Sequence, residues 1–368
     1  MARPLLTSFR IRGYRGIRDL EIPHLGRVNL IVGKNSCGKT SILEAVQLYA
    51  GNANLGGFFA VMAARKEPVR LRVRDYDQLQ EFYQSFRNLF YQSIDEEGDP
   101  HFVLSSADDS LPELFVNLTH MDPGVSVESI GLQRDLITFS DDDFLRAFAL
   151  HVNFGSRLRT YPFEISESYA GSSIKSADDF EFDRSVFVTS AGLSEERMGR
   201  MWDSISLTDL EEDVLSALRL ILPGVERISL VQGGGRDRHF MIRSNRFPRP
   251  MPLRVLGDGV ARLMGVALAL VSAKNGILII DEIENGLHFS VQQSVWKLIF
   301  EAAARLNVQV FAATHSWDCI KSFERAASTD QNEDAYLFRI QDSKKGVRMI
   351  TFNESELAIA AKQGIEVR

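Results

Sequence analysis

The sequence predicts an α/β fold with a mainly parallel central sheet, and three stretches carry that prediction. Val28 to Val32 reads as a buried strand that runs into Gly33-x-x-x-x-Gly38-Lys39-Thr40, with an amphipathic helix from Ser41 to about Tyr49 behind it. Gly276 to Ile280 is a continuous apolar run ending in Asp281 and Glu282, and Val308 to Ala313 reads as another buried strand, which delivers Thr314, His315 and Ser316 at its end. Strands buried on both faces read as nearly continuous apolar runs, and in open parallel sheets their carboxyl ends deliver the polar residues of a site.

A strand, a glycine-framed loop and a helix in succession are what a phosphate cradle requires. Gly33 and Gly38 let the backbone turn so that successive N–H groups point inward, and the helix N-terminus adds its partial positive charge. The candidate nucleotide-binding residues are therefore Gly33, Lys34, Asn35, Ser36, Cys37, Gly38, Lys39, Thr40 and Ser41. Lys39 is expected to reach the β- and γ-phosphates, while the Thr40 hydroxyl and Asp281 are expected to hold Mg²⁺. Glu282 is the candidate for accepting a proton from an attacking water, and His315 for sensing the γ-phosphate or positioning that water. ATP and Mg²⁺ are the cofactors expected.

The remaining elements follow in order. Residues 5 to 22 alternate apolar and basic side chains and break at Gly13 and Gly16, the pattern of a β-hairpin and so of an N-terminal antiparallel β layer. Arg10, Arg12, Arg15 and Arg18 are expected on a solvated face, with contact to adenine, phosphate or nucleic acid as the alternatives. Between 51 and 185 the signal weakens. A basic patch (Arg65, Lys66, Arg70, Arg72, Arg74) precedes a helix expected from Tyr76 to Tyr91. Acids then cluster at Asp95 to Glu97, Asp108-Asp109, Asp141 to Asp143 and Asp178-Asp179, as in solvated loops and helix caps. The chain is thus divided into 1–50, an inserted lid or partner subdomain at 51–185, and the returning core at 186–368.

That returning core opens with a strand at Val186 to Val188 and helices at Ser194 to Ser204 and Thr208 to Leu222, the second with Thr208 and Glu211 spaced as a capping box. Ile228 to Val231 and His239 to Arg243 flank a triple-glycine turn as a hairpin. Arg236, Arg238, Arg243, Arg246 and Arg249 crowd it, either as a charge-protected edge or as a nucleic-acid or partner surface. Leu256 to Arg262 opens an apolar helix running to about Ala273, with Asp258 placed to cap it. Gly257, Asp258 and Gly259 thereby form a second potential anion site. A helix from Phe289 to Leu306, a hairpin of Ala335 to Arg339 with Val347 to Phe352, and a short terminal helix complete the reading.

With 45% hydrophobic and 25% charged residues in 368, the composition is that of a globular protein rather than a disordered one. No apolar run approaches the ~20 residues of a membrane span, and the Arg-rich N-terminus lacks an apolar core, so a cytoplasmic protein without membrane contact is expected. Two cysteines, Cys37 and Cys319, give neither a disulfide framework nor zinc spacing. A net charge of −7 argues against a nucleic-acid coat.

Taken in order, Gly33 to Ser41, Leu256 to Arg262, Asp281-Glu282-Ile283-Glu284-Asn285-Gly286-Leu287-His288 and Thr314-His315-Ser316 resemble the motifs of ABC-type ATPases of the group that includes SMC and RecF-like proteins. Within that group, the Asp-Glu-x-Glu-x-x-Leu-His run, the Thr-His-Ser end and the N-terminal Phe9 to Leu20 stretch are most similar to the ATPase domains of OLD (overcoming lysogenization defect) nucleases and their nuclease-less relatives. The resemblance implies a P-loop fold of ABC type, with Walker A at Gly33 to Thr40, Walker B at Asp281 and Glu282, and His315 as switch histidine. Leu256 to Arg262 would be the signature segment that closes on a second protomer's γ-phosphate. Here it lacks the usual serine and carries Asp258, and Phe289 stands where the family has proline. About fifty residues follow His315, fewer than a TOPRIM nuclease domain needs. The implied protein is an ATPase switch, a homodimer or dimer-based higher oligomer that regulates a separate effector, a nuclease, in anti-phage defence. The alternative is a RecF-like repair ATPase that binds DNA.

Overall fold

A computed structural model describes residues 5–69, 73–91, 99–120, 147–164, 185–233, 238–329, 334–343, 346–352 and 356. The chain begins with a hairpin, β1 (Phe9–Tyr14) and β2 (Ile17–Ile22), followed by β3 (Val28–Val32) and α1 (Lys39–Ala50). Helices α2 (Leu55–Ala64) and α3 (Tyr76–Arg87) lead to β4 (His101–Ser105), β5 (Leu114–His120), β6 (Ala147–Phe154) and β7 (Arg157–Glu164). Next come β8 (Ser185–Val188), α4 (Glu195–Ile205), α5 (Leu210–Arg219), β9 (Val225–Gln232), β10 (Arg238–Ser244) and β11 (Met251–Pro252). The last third holds α6 (Asp258–Ser272), β12 (Ile277–Ile280), α7 (Phe289–Leu306), β13 (Gln309–Thr314), α8 (Trp317–Thr329), β14 (Ala335–Ser343) and β15 (Gly346–Phe352).

The central sheet has the order β15-β14-β3-β13-β12-β8. All its neighbours run parallel except the outer β15, which returns antiparallel to β14. Because strand side chains alternate, each strand feeds two cores. Leu30, Val32, Leu278, Ile280, Val310 and Ala312 pack towards the layer of α4 to α8. Ile31, Ile277, Ile279, Phe311 and Ala313 pack on the opposite side, against α1 and a second, wholly antiparallel sheet of order β2-β1-β4-β5-β6-β7. Helix α1 is enclosed between the two sheets, with even Glu44 and Gln47 buried.

The described strands of the segment 51–185 are tied directly to the N-terminal hairpin. Strand β4 pairs with β1, placing Ile11 opposite Leu104, and β5, β6 and β7 continue the same sheet. Phe102, Leu104, Leu114, Val116, Leu118, Phe148, Leu150 and Val152 alternate inward to a core shared with Phe9 and Ile11. Rings of Phe82, Phe86, Phe148 and Phe163 meet at centroid distances of 4.9–6.0 Å, in the range where aromatic pairs add to burial.

Several local expectations are corrected. Arg15 does not lie on the solvated face: it sits at φ 49° in the β1–β2 turn, and its side chain points inward to Glu44 at 2.9 Å and Glu67 at 2.8 Å. Arg10 and Arg12 do face outward, paired with Asp19 and Glu113, and Arg18 is exposed. Helix α3 ends at Arg87 because Phe90 turns back to bridge Tyr14. At α5 the capping pattern is displaced: Thr208 Oγ1 accepts from Leu210 N–H, and Glu211 accepts from Leu207 N–H rather than from Thr208. Asp258 does not cap α6. Gly257 takes the cap position with no side-chain bond, and Asp258 is exposed as the first helical residue.

In the β9–β10 hairpin, Arg238 pairs with Asp203 and Arg243 with Glu226, so part of its charge is neutralised internally. Asp108 closes a surface turn by accepting from Ser110 N–H at 2.9 Å. The acid clusters at 95–97, 141–143 and 178–179, Arg70, Arg72, Arg236, Gly234, Gly235 and the terminal helix lie outside the described residues.

Candidate active site

Strands β3, β13 and β12 are consecutive neighbours in the central sheet, so the segments leaving their carboxyl ends emerge side by side. After β3 the chain crosses Gly33, where a Cβ would come within 2.7 Å of Cys37 Sγ and 3.3 Å of Ile340. The exposed Lys34, Asn35 and Ser36 form the crest of the loop. Gly38 then adopts φ 101°, a conformation side chains disfavour, and caps α1 with no side-chain bond, leaving the first-turn N–H groups to face a ligand. Lys39 Nζ folds over this hollow, donating to the carbonyls of Gly33 at 2.7 Å and Lys34 at 2.8 Å. Ser41 points the other way, its hydroxyl accepting from Arg65 at 3.1 Å.

From β12, Asp281 and Glu282 arrive beside that hollow. Thr40 Oγ1 donates to Asp281 Oδ2 at 2.9 Å, which joins the phosphate loop to the end of β12. Burial pushes the Asp281 carboxyl above its ordinary range, against the opposing pulls of the Thr40 hydroxyl and Lys39. Glu282 sits at φ 47°, half-buried, with Oε2 accepting from Asn285 Nδ2 at 2.7 Å. Its other oxygen lies 3.8 Å from His315 Nδ1, which follows β13. Glu284 approaches the same ring nitrogen, 3.4 Å from Nδ1.

The Thr40–Asp281 pair fits Mg²⁺. Among the described residues no group of three or more His, Cys, Asp or Glu could form an all-protein metal cage. Mg²⁺ instead keeps waters and takes one or two protein oxygens together with substrate phosphates. A hydroxyl touching a desolvated carboxylate beside a phosphate loop is such a donor set, and a cation there would relieve the cost of burying Asp281.

The third expected cluster lies apart from the loop. Gly259 packs against Gly286, so closely that a Cβ would fall 2.5 Å from the Gly286 carbonyl oxygen. Among the described residues, no hydrogen bond or ion pair joins Gly257, Asp258 or Gly259 to residues 33–41. Three further residues at the site escaped the sequence reading as individual groups. Glu284 and Asn285 brace His315 and Glu282, and Arg262 donates to the backbone carbonyls of Asp281 and Glu282. Arg262 did leave a trace, as the sole charged residue between Val260 and Ser272.

This sheet order, with a phosphate loop after one central strand and a carboxylate pair after another, defines a P-loop ATPase of ABC type with the fold of SMC heads. The family model described as "AAA domain, putative AbiEii toxin, Type IV TA system" matches residues 28–318, and the chain belongs to that family. A Helicobacter pylori protein named "ATP/GTP phosphatase" is 20% identical over 344 residues, spanning 87% of this chain and 88% of that protein. Two solved structures share the fold. The SmcHead bound to the C-winged helix domain of ScpA superposes with TM-score 0.51 at 13% identity, over 95% of this chain and 98% of that one. A Pyrococcus furiosus Smc head domain with an extended coiled coil, bound to the C-terminal domain of ScpA, gives 0.50 at 10% identity, over 98% and 99%. Among the described residues no helix is long and apolar enough to cross a membrane.

Proposed function

We propose that this protein is a Mg²⁺-dependent ATPase of the OLD-like class that works as a dimer-based switch and regulates a separate nuclease effector in anti-phage defence. The observation that carries the hydrolytic part is the direct contact of Thr40 with Asp281, with Glu282 and His315 beside it. Lys39 would exchange its two loop carbonyls for the β- and γ-phosphates, and Thr40 and Asp281 would hold Mg²⁺, which when bound neutralises charge on those phosphates. Asn285 occupies one oxygen of Glu282 and leaves the other free to take a proton from water. His315, next to that free oxygen, would orient the water or report the γ-phosphate. The name of the Helicobacter pylori relative supports nucleotide hydrolysis as the reaction class. The exposed Asp258, on a signature segment that leaves its own phosphate loop untouched, supports a site completed by a second copy.

The test is phosphate release with and without Mg²⁺ in Glu282→Gln protein. Binding should persist while hydrolysis falls by about 10²- to 10⁴-fold, the range for a lost general base. Wild-type turnover in that variant would remove Glu282 from the mechanism. For the regulatory role, the activity of a co-encoded nuclease should differ between the ATP-locked Glu282→Gln protein and the Lys39→Ala protein, and equal activity would reject it.

A second reading, a RecF-like repair ATPase, draws on Arg246 and Arg249, both exposed in the loop before β11. It predicts DNA-stimulated hydrolysis with a steep salt dependence. Hydrolysis indifferent to DNA favours the first reading.

A further inference from the structure

Arg262 lies one turn into α6, in a stretch otherwise made of apolar and small residues, and it is buried. A buried guanidinium ordinarily pairs with a carboxylate. Here, among the described residues, its hydrogen bonds go to backbone carbonyls. Nη1 reaches the carbonyl of Thr189 at 2.6 Å, and Nη2 is shared between the carbonyls of Asp281 at 2.8 Å and Glu282 at 3.0 Å. One rigid fork thus joins three segments: the first turns of α6, the end of β8 and the peptide that carries both acids of the site.

That peptide needs support. Glu282 holds a left-handed backbone conformation at φ 47°, which is strained for a non-glycine residue and persists only where its surroundings impose it. The amides around it are anchored individually, Asp281 to Val188, Ile283 to Ala313 and Asn285 to Glu282. The carbonyls of Asp281 and Glu282 are the groups that Arg262 takes. On its other side α6 begins at Gly257 to Gly259, and Gly259 is pressed against Gly286, four residues beyond Glu282. The start of α6 therefore touches the loop that follows β12 at both ends.

We propose that Arg262 is a positioning residue that locks the start of α6 to the Asp281–Glu282 peptide, so that the signature segment and the hydrolytic carboxylate of one protomer move as a unit. In a dimer, a displacement of Gly257–Gly259 by a nucleotide held in the opposite phosphate loop would be transmitted through Arg262 to Glu282. Each site would then report its occupancy to the other. The inference rests on the reading of Glu282 as the base, and its primary test does not use hydrolysis.

Arg262→Lys keeps the charge but replaces the fork with a single ammonium, which cannot span Thr189 and both acid carbonyls. Hydrogen–deuterium exchange of the nucleotide-free protein should accelerate about tenfold at the amides of residues 281–286 and stay unchanged over 28–45. ADP affinity should hold within about threefold while kcat falls about ten- to a hundredfold, the cost of a displaced but intact group. Gly259→Ala probes the same link from the other end by forcing a Cβ against Gly286, and it should raise exchange over the same residues. Unchanged exchange at 281–286 in either folded variant overturns the proposal, as does a uniform rise across the chain. Wild-type hydrolysis in Glu282→Gln alongside faster local exchange in Arg262→Lys would instead reject the base and leave the positioning role standing.

Discussion

Glu284 accepts the backbone N–H of His315 at 3.2 Å with the same oxygen that stands 3.4 Å from the ring Nδ1. This carboxylate, largely buried, holds both the backbone and the ring of the residue that follows β13. Removing it should release the ring without touching the phosphate loop. Glu284→Ala is expected to lower kcat about tenfold with KM for ATP nearly unchanged, whereas Glu284→Gln, which keeps an oxygen for the His315 N–H, should retain most of the activity. Equal losses in the two variants, or a rise in KM with kcat preserved, would show that Glu284 does not orient His315.

Asp281 illustrates a conflict between stability and function. Its carboxyl is held above the usual range chiefly by burial. A carboxyl that binds its proton more tightly in the native state than in the unfolded chain adds stability as pH falls through the raised value, and it subtracts stability at neutral pH, where it is charged. Asp281→Asn keeps an oxygen to accept from Thr40 and removes that charge. Without nucleotide, the variant should melt higher by about 1 °C, for a gain of about 1 kcal/mol. It should also lose the extra stabilisation that Mg²⁺-ATP gives the wild type, since the carboxylate is a proposed metal ligand. A nucleotide-free variant that melts at or below the wild type at pH 7 would contradict the burial argument.

What the sequence disclosed and what it concealed divide along the range of the interactions. Val28 to Val32, Ile277 to Ile280 and Phe289 to Leu306 were legible because apolar runs and a helical period are local signals. The phosphate loop was legible because its chemistry demands glycines at fixed spacing. Of the antiparallel sheet only the β1–β2 hairpin was legible; its continuation through β4 to β7 was not, although Phe102 and Leu104, Leu114 to Leu118 and Phe148 to Val152 all alternate, because β4 finds its partner in β1, far back in the chain. The cap of α6 was misread because Asp258 has the right residue type, while the turn is made by Gly257 at φ 95°. Arg15 was misplaced for a related reason: alternation put it outside, but a left-handed turn and a carboxylate on α1 drew it inward.

That carboxylate belongs to Glu44, which is fully buried between Arg15 at 2.9 Å and Arg65 at 2.6 Å, with the Tyr14 hydroxyl at 3.3 Å. Burial pushes its pKa up while the two arginines pull it down. The cluster binds the β1–β2 turn and the end of α2 to α1, one turn beyond Thr40. Breaking a buried ion pair by removing one charge leaves the partners uncompensated, at a cost of about 3 kcal/mol. Glu44→Gln should therefore lower the melting temperature by roughly 4 °C and weaken ATP binding, because Arg65 also steadies Ser41. A melting temperature within a degree of the wild type would mean that the cluster is incidental to the fold.

The composite-site proposal needs a substitution that disables the signature segment in trans without damaging its own protomer. Gly259 is unsuitable, since any side chain there collides with Gly286 in the same chain. Asp258 is exposed and makes no hydrogen bond or ion pair among the described residues, so Asp258→Arg should leave folding and monomer nucleotide binding intact. A bulky side chain at the mouth of the segment should still keep a second protomer's phosphate loop from closing. Alone, Asp258→Arg is expected to bind ATP and hydrolyse it at most at a few per cent of the wild-type rate, and Lys39→Ala to do neither. In a mixed dimer, one site would combine the intact loop of the Asp258→Arg chain with the intact segment of the Lys39→Ala chain, while the other would carry both defects. Random exchange puts half of the dimers in the mixed form, each with one working site of two, so activity should recover to about a quarter of the wild-type value per dimer. If subunit exchange is demonstrated and activity stays at the level of the separate variants, each protomer completes its own site and the dimeric switch is wrong.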